Sequence, residues 1–162
     1  MRKTMVPFVV LAALVFASSF ELAAGTKTDP ISVDLKAFKF KVKKEVENLF
    51  GYNEDEGKLF FYTNGPAEAT VKVPAGGDYE ITLKASCDSA KDERAKFKLS
   101  IDGQAVGKET LLTADEAKDY KLTASVKAGD RKLVIEFTND IYKEGEYDRN
   151  LYVHAVALKR LK

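Results

Sequence analysis

Strict alternation of apolar and polar residues, repeated along most of the chain, is the feature that most constrains this sequence. Ala69, Val71 and Val73 alternate with Thr70 and Lys72, and Tyr79, Ile81, Leu83 and Ala85 with Glu80, Thr82 and Lys84. The same rhythm returns at Phe97, Leu99 and Ile101, at Tyr120, Leu122, Ala124 and Val126, and at Leu133, Ile135 and Phe137. Phe38, Phe40 and Val42 carry it near the beginning, against Lys39, Lys41 and Lys43. A period of two puts one set of side chains on each face of a strand. One apolar and one wet face is the pattern of antiparallel sheets, whereas strands buried on both faces read as unbroken apolar runs. Turn-forming residues separate the runs: Pro74-Ala75-Gly76-Gly77, Asp102-Gly103 and Ala128-Gly129-Asp130. Asp102-Gly103 between two alternating runs is a hairpin signal. The expected fold is therefore all-β, an antiparallel two-sheet β-sandwich. Thr113 and Glu116 have capping-box spacing, which predicts a short helical turn over Thr113–Lys118, and a second is expected in Lys44–Phe50.

The chain has 162 residues, enough for one domain with its own core and too few for two ordinary ones. Residues 1–25 read as a secretory signal: Arg2 and Lys3, an apolar core from Met5 to Ala17, then small residues at Ala23, Ala24 and Gly25. That core is shorter than the ~20 residues a membrane-spanning helix needs. The expected organisation is a signal peptide at 1–25, a polar lead-in at 26–34 and the sandwich at 35–162. The expected location is secreted, periplasmic or at the cell surface, with no integral membrane segment after cleavage. Removing Arg2 and Lys3 from 26 basic residues, and Glu21 from 25 acidic ones, leaves the two signs equal. A balanced chain lacks the basic surplus of a nucleic-acid binder. A single Cys and a single His exclude an internal disulfide, zinc sites of the Cys₄ and Cys₂His₂ types and a two-His zincin helix. Cys87 follows an alternating run and reads as a half-buried structural thiol.

Nothing in the sequence reads as an enzyme. His154 lies in the strand-like run Leu151–Leu158 with no nucleophile near it in sequence, and a lone His on a strand is usually a packing or hydrogen-bonding residue. The paired acids Glu54-Asp55-Glu56, Asp92-Glu93 and Asp115-Glu116 read as loop solvation. The most informative stretch is the polar loop Asn139–Asn150, which concentrates oxygen donors: Asp140, Glu144, Glu146 and Asp148, flanked by Asn139 and Asn150. A hard cation such as Ca²⁺ takes six to eight oxygens from carboxylates, carbonyls and water, and a loop held by strands at both ends can present them. The spacing is not that of an EF-hand. By residue type alone the loop is either such a site or a mobile acidic hairpin.

Asn139-Asp140, a short loop, then Asp148-Arg149-Asn150-Leu151-Tyr152-Val153 resembles the signature of the calcium-dependent xylan-binding carbohydrate-binding modules. Asn64-Gly65, Pro74 to Tyr79, Ile101-Asp102-Gly103 and Ala128-Gly129 leading into Leu133–Phe137 fall in that family's order. The resemblance covers roughly residues 58–160. It implies a jelly-roll type sandwich that binds xylan-like polysaccharide through a loop-bound Ca²⁺ whose shell is completed by two adjacent sugar hydroxyls. Carried onto this chain, it gives Asp140 and Asp148 as carboxylate ligands and Tyr147 as a backbone-carbonyl ligand. Tyr142 and Tyr147 are candidates for stacking on a sugar ring, with Asn139 and Asn150 beside them in the ligand-binding set. Arg149 is expected to pin the loop by charge-assisted hydrogen bonds, and Asn150 to brace its return into the strand. The sequence has no Trp, so any stacking falls to Tyr. The rival reading is a structural or protein-interaction β-sandwich of the envelope or extracellular matrix with no sugar site.

Overall fold

In this computed structural model the residues described are 29–161, so the signal sequence expected at 1–25 lies outside them. The alternating runs become long antiparallel strands with their apolar sets turned inward. In chain order the strands are β1 (Ile31–Ser32), β2 (Lys39–Phe40), β3 (Phe50–Asn53), β4 (Lys58–Phe61), β5 (Gly65–Val73), β6 (Gly77–Asp88) and β7 (Lys96–Ile101). There follow β8 (Gln104–Ala105), β9 (Thr110–Leu111), β10 (Lys118–Val126), β11 (Gly129–Phe137), β12 (Tyr142–Lys143), β13 (Tyr147–Asp148) and β14 (Asn150–Arg160).

One sheet has the order β10-β6-β14-β4-β3, with β1 beside β14; the other has the order β2-β5-β11-β7-β8, with β9 beside β7. All their pairings are antiparallel. Tyr79, Ile81, Leu83 and Ala85 from the first sheet meet Phe97, Leu99, Leu133, Ile135 and Phe137 from the second in one buried cluster. This is the two-sheet sandwich that the alternation implies. At about 25 cal/mol per Å² of apolar surface removed from water, such a core is the main term opposing chain entropy.

The turns also follow their chemistry. Asp102 (φ 51°) and Gly103 (φ 81°) close the β7–β8 hairpin with both central residues in the left-handed region, as a two-residue type I′ loop requires. Residues 44–49 form a 3₁₀ helix within the segment where a helical turn is expected. No helix forms at 113–118, where the capping-box spacing predicts one. The Thr113 N–H donates to the Tyr120 hydroxyl at 2.9 Å, the Thr113 hydroxyl accepts from Lys118 Nζ at 2.9 Å, and the Asp115 carbonyl accepts from the Cys87 N–H at 3.0 Å. Tertiary partners have taken the groups that a capping box would use. The first sheet also reaches into the lead-in: Ile31 and Ser32 pair with Leu158 and Ala157.

Strand direction sets the position of the loops. β5 and β7 begin, and β6 and β11 end, at the end of the sandwich where β14 starts. Asn64, the segment 89–95 and the segment 138–149 therefore converge there, while β1 and the end of β14 pair at the opposite end.

Candidate functional site

At that end lies a cleft of about 640 Å³, whose lining includes Asp140, Asp148 and Asn150 and the aromatic rings of Tyr62, Tyr142 and Tyr152. The 139–150 loop builds one wall. Its middle is a small hairpin in which Tyr142 pairs with Asp148 and Lys143 with Tyr147. Gly145, at φ 71°, takes the left-handed conformation at the tip that residues with a Cβ disfavour.

Arg149 fixes the loop to the rest of the fold. Its guanidinium is buried and donates to three backbone carbonyls: Nε to Glu93 at 3.0 Å, Nη1 to Asn139 at 2.6 Å and Nη2 to Ala90 at 2.5 Å. The Glu93 carboxylate stands 3.5 Å from Nη1 and supplies the countercharge. Lys96 beside Glu93 holds that carboxyl below its ordinary pKa, so the countercharge persists into mildly acidic solution. This is the pinning role that the sequence assigns to Arg149.

Asn139 has a different occupation from the one expected. Its Oδ1 accepts from the Lys96 N–H at 2.6 Å and its Nδ2 donates to the Arg94 carbonyl at 2.9 Å, so both amide ends are committed to the start of β7. Asn64 does a similar job one residue along, accepting from the Asp140 N–H at 2.7 Å. Together these bonds fix Asp140 at the cleft-bearing end of the second sheet.

The acids and Asn150 form a connected group. The buried Asn150 donates through Nδ2 to Asp148 Oδ2 and to Asp88 Oδ2, both at 3.0 Å, and Tyr152 donates its hydroxyl to Asp88 Oδ2 at 2.7 Å. Burial and this bond push the Tyr152 phenol far above its ordinary range, so it stays a donor. Two oxygens are left over. Asp140 Oδ1 and Asn150 Oδ1 are both buried without a hydrogen-bond partner. Burial, with the charge of Asp148 adding to it, raises the Asp140 pKa against the opposing pull of the Thr63 hydroxyl. A carboxylate with one buried, unpartnered oxygen beside a second carboxylate is an unfavourable arrangement that a cation relieves.

The donor chemistry fits a hard ion. Every available donor is oxygen: two carboxylates, an amide oxygen and the loop's carbonyls. Among the described residues no three His, Cys, Asp or Glu side chains gather as a metal-binding group. An ion here would thus have two acidic ligands, and neutral oxygens would complete its shell.

Tyr142 is 62% exposed and lines the cleft, whereas Tyr147 does not line it and packs under Lys91, whose Nζ is 4.4 Å from the ring centroid. Glu146 pairs with Lys143 across the hairpin and does not line the cleft. Tyr62, Thr63, Asn64, Asp88 and Tyr152 are site residues that sequence reasoning did not single out. Asn64-Gly65 and the strand opening Tyr152 stood only as parts of a motif.

His154 and Ser86 face each other on the outer face of the first sheet, with Nε2 2.8 Å from Oγ. His154 falls in a β-bulge between Val153 and Ala155. Burial, with Lys58 and Lys84 nearby, lowers its pKa and keeps the imidazole neutral. Neither residue lines the cleft.

The family described as Ca-dependent, xylan-binding carbohydrate-binding modules, CBM60, matches residues 80–161. No curated protein sequence matches the chain. Among solved structures the chain is similar to the CBM36-1 domain of a multidomain xylanase from the hindgut metagenome of Trinervitermes trinervoides. That match has a TM-score of 0.60 at 14% identity and covers 83% of this chain and 98% of the other. It is also similar to a CBM36 module in complex with calcium and xylotriose, with a TM-score of 0.53 at 15% identity over 81% of this chain and 99% of that one. A family 35 module from Clostridium thermocellum aligns with a TM-score of 0.54 at 12% identity, covering 83% of this chain and all of its own. At these identities the likeness is one of fold.

Proposed function

Since the chain belongs to the CBM60 family of calcium-dependent, xylan-binding carbohydrate-binding modules, we propose that it is a secreted, non-catalytic module that binds xylan-like polysaccharide through a calcium ion in the cleft. The observation that carries this reading is the pair of buried, unpartnered oxygens, Asp140 Oδ1 and Asn150 Oδ1, on two residues that line the cleft together with Asp148. Asp140 and Asp148 are the proposed carboxylate ligands. The Tyr147 carbonyl is the proposed backbone ligand, and Asn150 offers an amide oxygen beside them. Bound there, calcium supplies open coordination positions that two adjacent hydroxyls of a sugar can fill in place of water.

The residues around the cleft do the rest. Asn64 and Arg149 hold the loop in register, so the acidic oxygens are positioned before ligand arrives. Asn150 bridges Asp148 and Asp88 by donating to both. Tyr142 offers an exposed ring at the rim for the apolar face of a sugar. A neutral polysaccharide suits the balanced charge of the chain without residues 1–25. The Ser86–His154 pair lies outside the cleft and is read as cross-strand bonding, not as a catalytic couple.

Isothermal titration with soluble xylan in calcium and in EDTA tests the reading. Binding is expected in calcium only, and Asp140→Ala and Asp148→Ala should each abolish it while leaving the circular dichroism of the sandwich unchanged. Binding that persists in chelator overturns the calcium mechanism. A calcium-dependent gain in thermal stability with no polysaccharide bound favours a purely structural ion instead.

A further inference from the structure

Alternation along β11 turns Leu133, Ile135 and Phe137 into the core, and the same period puts Arg131 on the inner face as well. Its register partner on β5 is Val71, itself buried. An arginine therefore stands in the core-facing row of the second sheet, at the end of the sandwich opposite the cleft, where β7 and β10 end and β11 begins. Beside it lies a second groove, of about 440 Å³, between β10 at the margin of the first sheet and β8 at the margin of the second.

The guanidinium is only partly satisfied. Nη1 donates to Asp102 Oδ2 at 3.0 Å, whereas Nε is buried and has no hydrogen-bond partner. A buried N–H left unpaired is unfavourable, and what it lacks is an acceptor. Nε and Nη2 form the edge of an arginine that meets a carboxylate through two parallel hydrogen bonds. The side chain is 25% exposed and lines the groove. Asp102 does not use up the charge. The Lys132 N–H, and then Arg131, hold its carboxyl below the ordinary range, so it is ionised at neutral pH. Arg131 and Lys127 against this one carboxylate leave the groove with a single positive charge, which suits a monoanion. The lining also includes the buried side chains of Ile101, Val106 and Val126, and no aromatic ring among the described residues. An apolar floor without a ring is poorly made for stacking on a sugar.

We propose that this groove is a second binding site, separate from the cleft at the other end, for a small organic carboxylate with an apolar body. The carboxylate takes the Nε–Nη2 edge of Arg131, with Lys127 adding charge, and the body lies against Ile101, Val106 and Val126. A slight turn of the guanidinium about its bond to Asp102 brings the Nε N–H to the ligand. Small-molecule pockets hold roughly 300–1,000 Å³ and combine mostly apolar walls with a few polar groups that fix orientation. The groove has that size and that division of labour: Arg131 directs, and the aliphatic side chains supply contact.

The test is an NMR titration of the whole protein in EDTA, with hexanoate, hexan-1-ol and D-glucuronate as probes. Hexanoate should shift the amides of Ala105, Val106, Ser125 and Lys127, and should bind about tenfold more tightly than hexan-1-ol, a difference of ~1.4 kcal/mol. Glucuronate has the same charge on a hydroxylated body and should bind more weakly than hexanoate. Arg131→Gln should bring the affinities for hexanoate and hexan-1-ol together. Asp102→Asn keeps a residue that tolerates the left-handed turn at φ 51° and removes the competing charge, so it should bind hexanoate more tightly than wild type does. Equal binding of hexanoate and hexan-1-ol by the wild type overturns the proposal, and so does unchanged hexanoate affinity in Arg131→Gln or in Asp102→Asn. Tighter binding of glucuronate than of hexanoate overturns the apolar body. Shifts confined to the cleft around Asp140 and Asp148, or none at all, overturn the site.

Discussion

Asp140, a proposed carboxylate ligand, illustrates how such a residue costs stability until it is used. Its folded carboxyl has a raised pKa, so the native state holds that proton more tightly than the unfolded chain does. The contribution to stability is therefore greatest below the ordinary Asp range and falls as pH rises from there through the raised native value. At neutral pH the ionised group is a destabilising element, relieved either by a cation or by removing the charge. Asp140→Asn keeps the shape and discards the charge. In chelator at neutral pH it should raise stability by an amount on the order of 1 kcal/mol, a few degrees in Tm. The same variant should lose the calcium-induced rise. Paired thermal melts in EDTA and in calcium check both halves, and a variant less stable than wild type in EDTA would show that Asp140 is satisfied without an ion.

At the scale of elements, the junction between β13 and β14 depends on Arg149. Its three carbonyl partners belong to Ala90, Glu93 and Asn139, which lie on two different loops, so one side chain ties both to the start of β14. Lysine carries the charge but not the fork, and cannot reach three carbonyls in three directions. Arg149→Lys should lower stability by about 2–4 kcal/mol, read from urea denaturation, and should weaken the calcium response by loosening the loop. An unchanged urea midpoint would show the carbonyls are satisfied some other way. Elements also divide what sequence can reveal. The long strands were legible because alternation over five or more residues states both the strand and its buried face. β4 was not, because Leu59-Phe60-Phe61-Tyr62 is apolar on both sides and no period tells which ring faces out. β1 is two residues long and has no period at all. The site divides similarly: Asp140, Asp148 and Asn150 sit close together in one loop, whereas Asn64 reaches Asp140 across 76 residues and Tyr152 reaches Asp88 across 64. Register between strands makes those meetings, and a single sequence does not display it.

For the whole molecule, the division between core and site implies how the proposed calcium ion and folding are linked. The core runs unbroken through both sheets, from Tyr79 and Ile81 to Leu133 and Phe137, and does not depend on the cleft. The site joins loops from both sheets at one end only. The calcium-free protein should therefore remain a folded sandwich, and the ion should add stability by mass action instead of creating the fold. The two proposed carboxylate ligands resemble the weak calcium sites of extracellular modules, with Kd of about 10⁻⁴–10⁻³ M. At ~10 mM calcium, binding to the native state alone then adds about 1.4–2.7 kcal/mol, a rise of roughly 5–10 °C for a domain of this size. Calorimetric melts across a calcium titration should show one cooperative transition at every concentration, including in EDTA, with the midpoint climbing logarithmically once calcium exceeds Kd. Loss of the cooperative transition in EDTA would mean that the ion organises the core and not just one end of it. A midpoint indifferent to calcium would mean that the two orphaned oxygens in the cleft have some other partner.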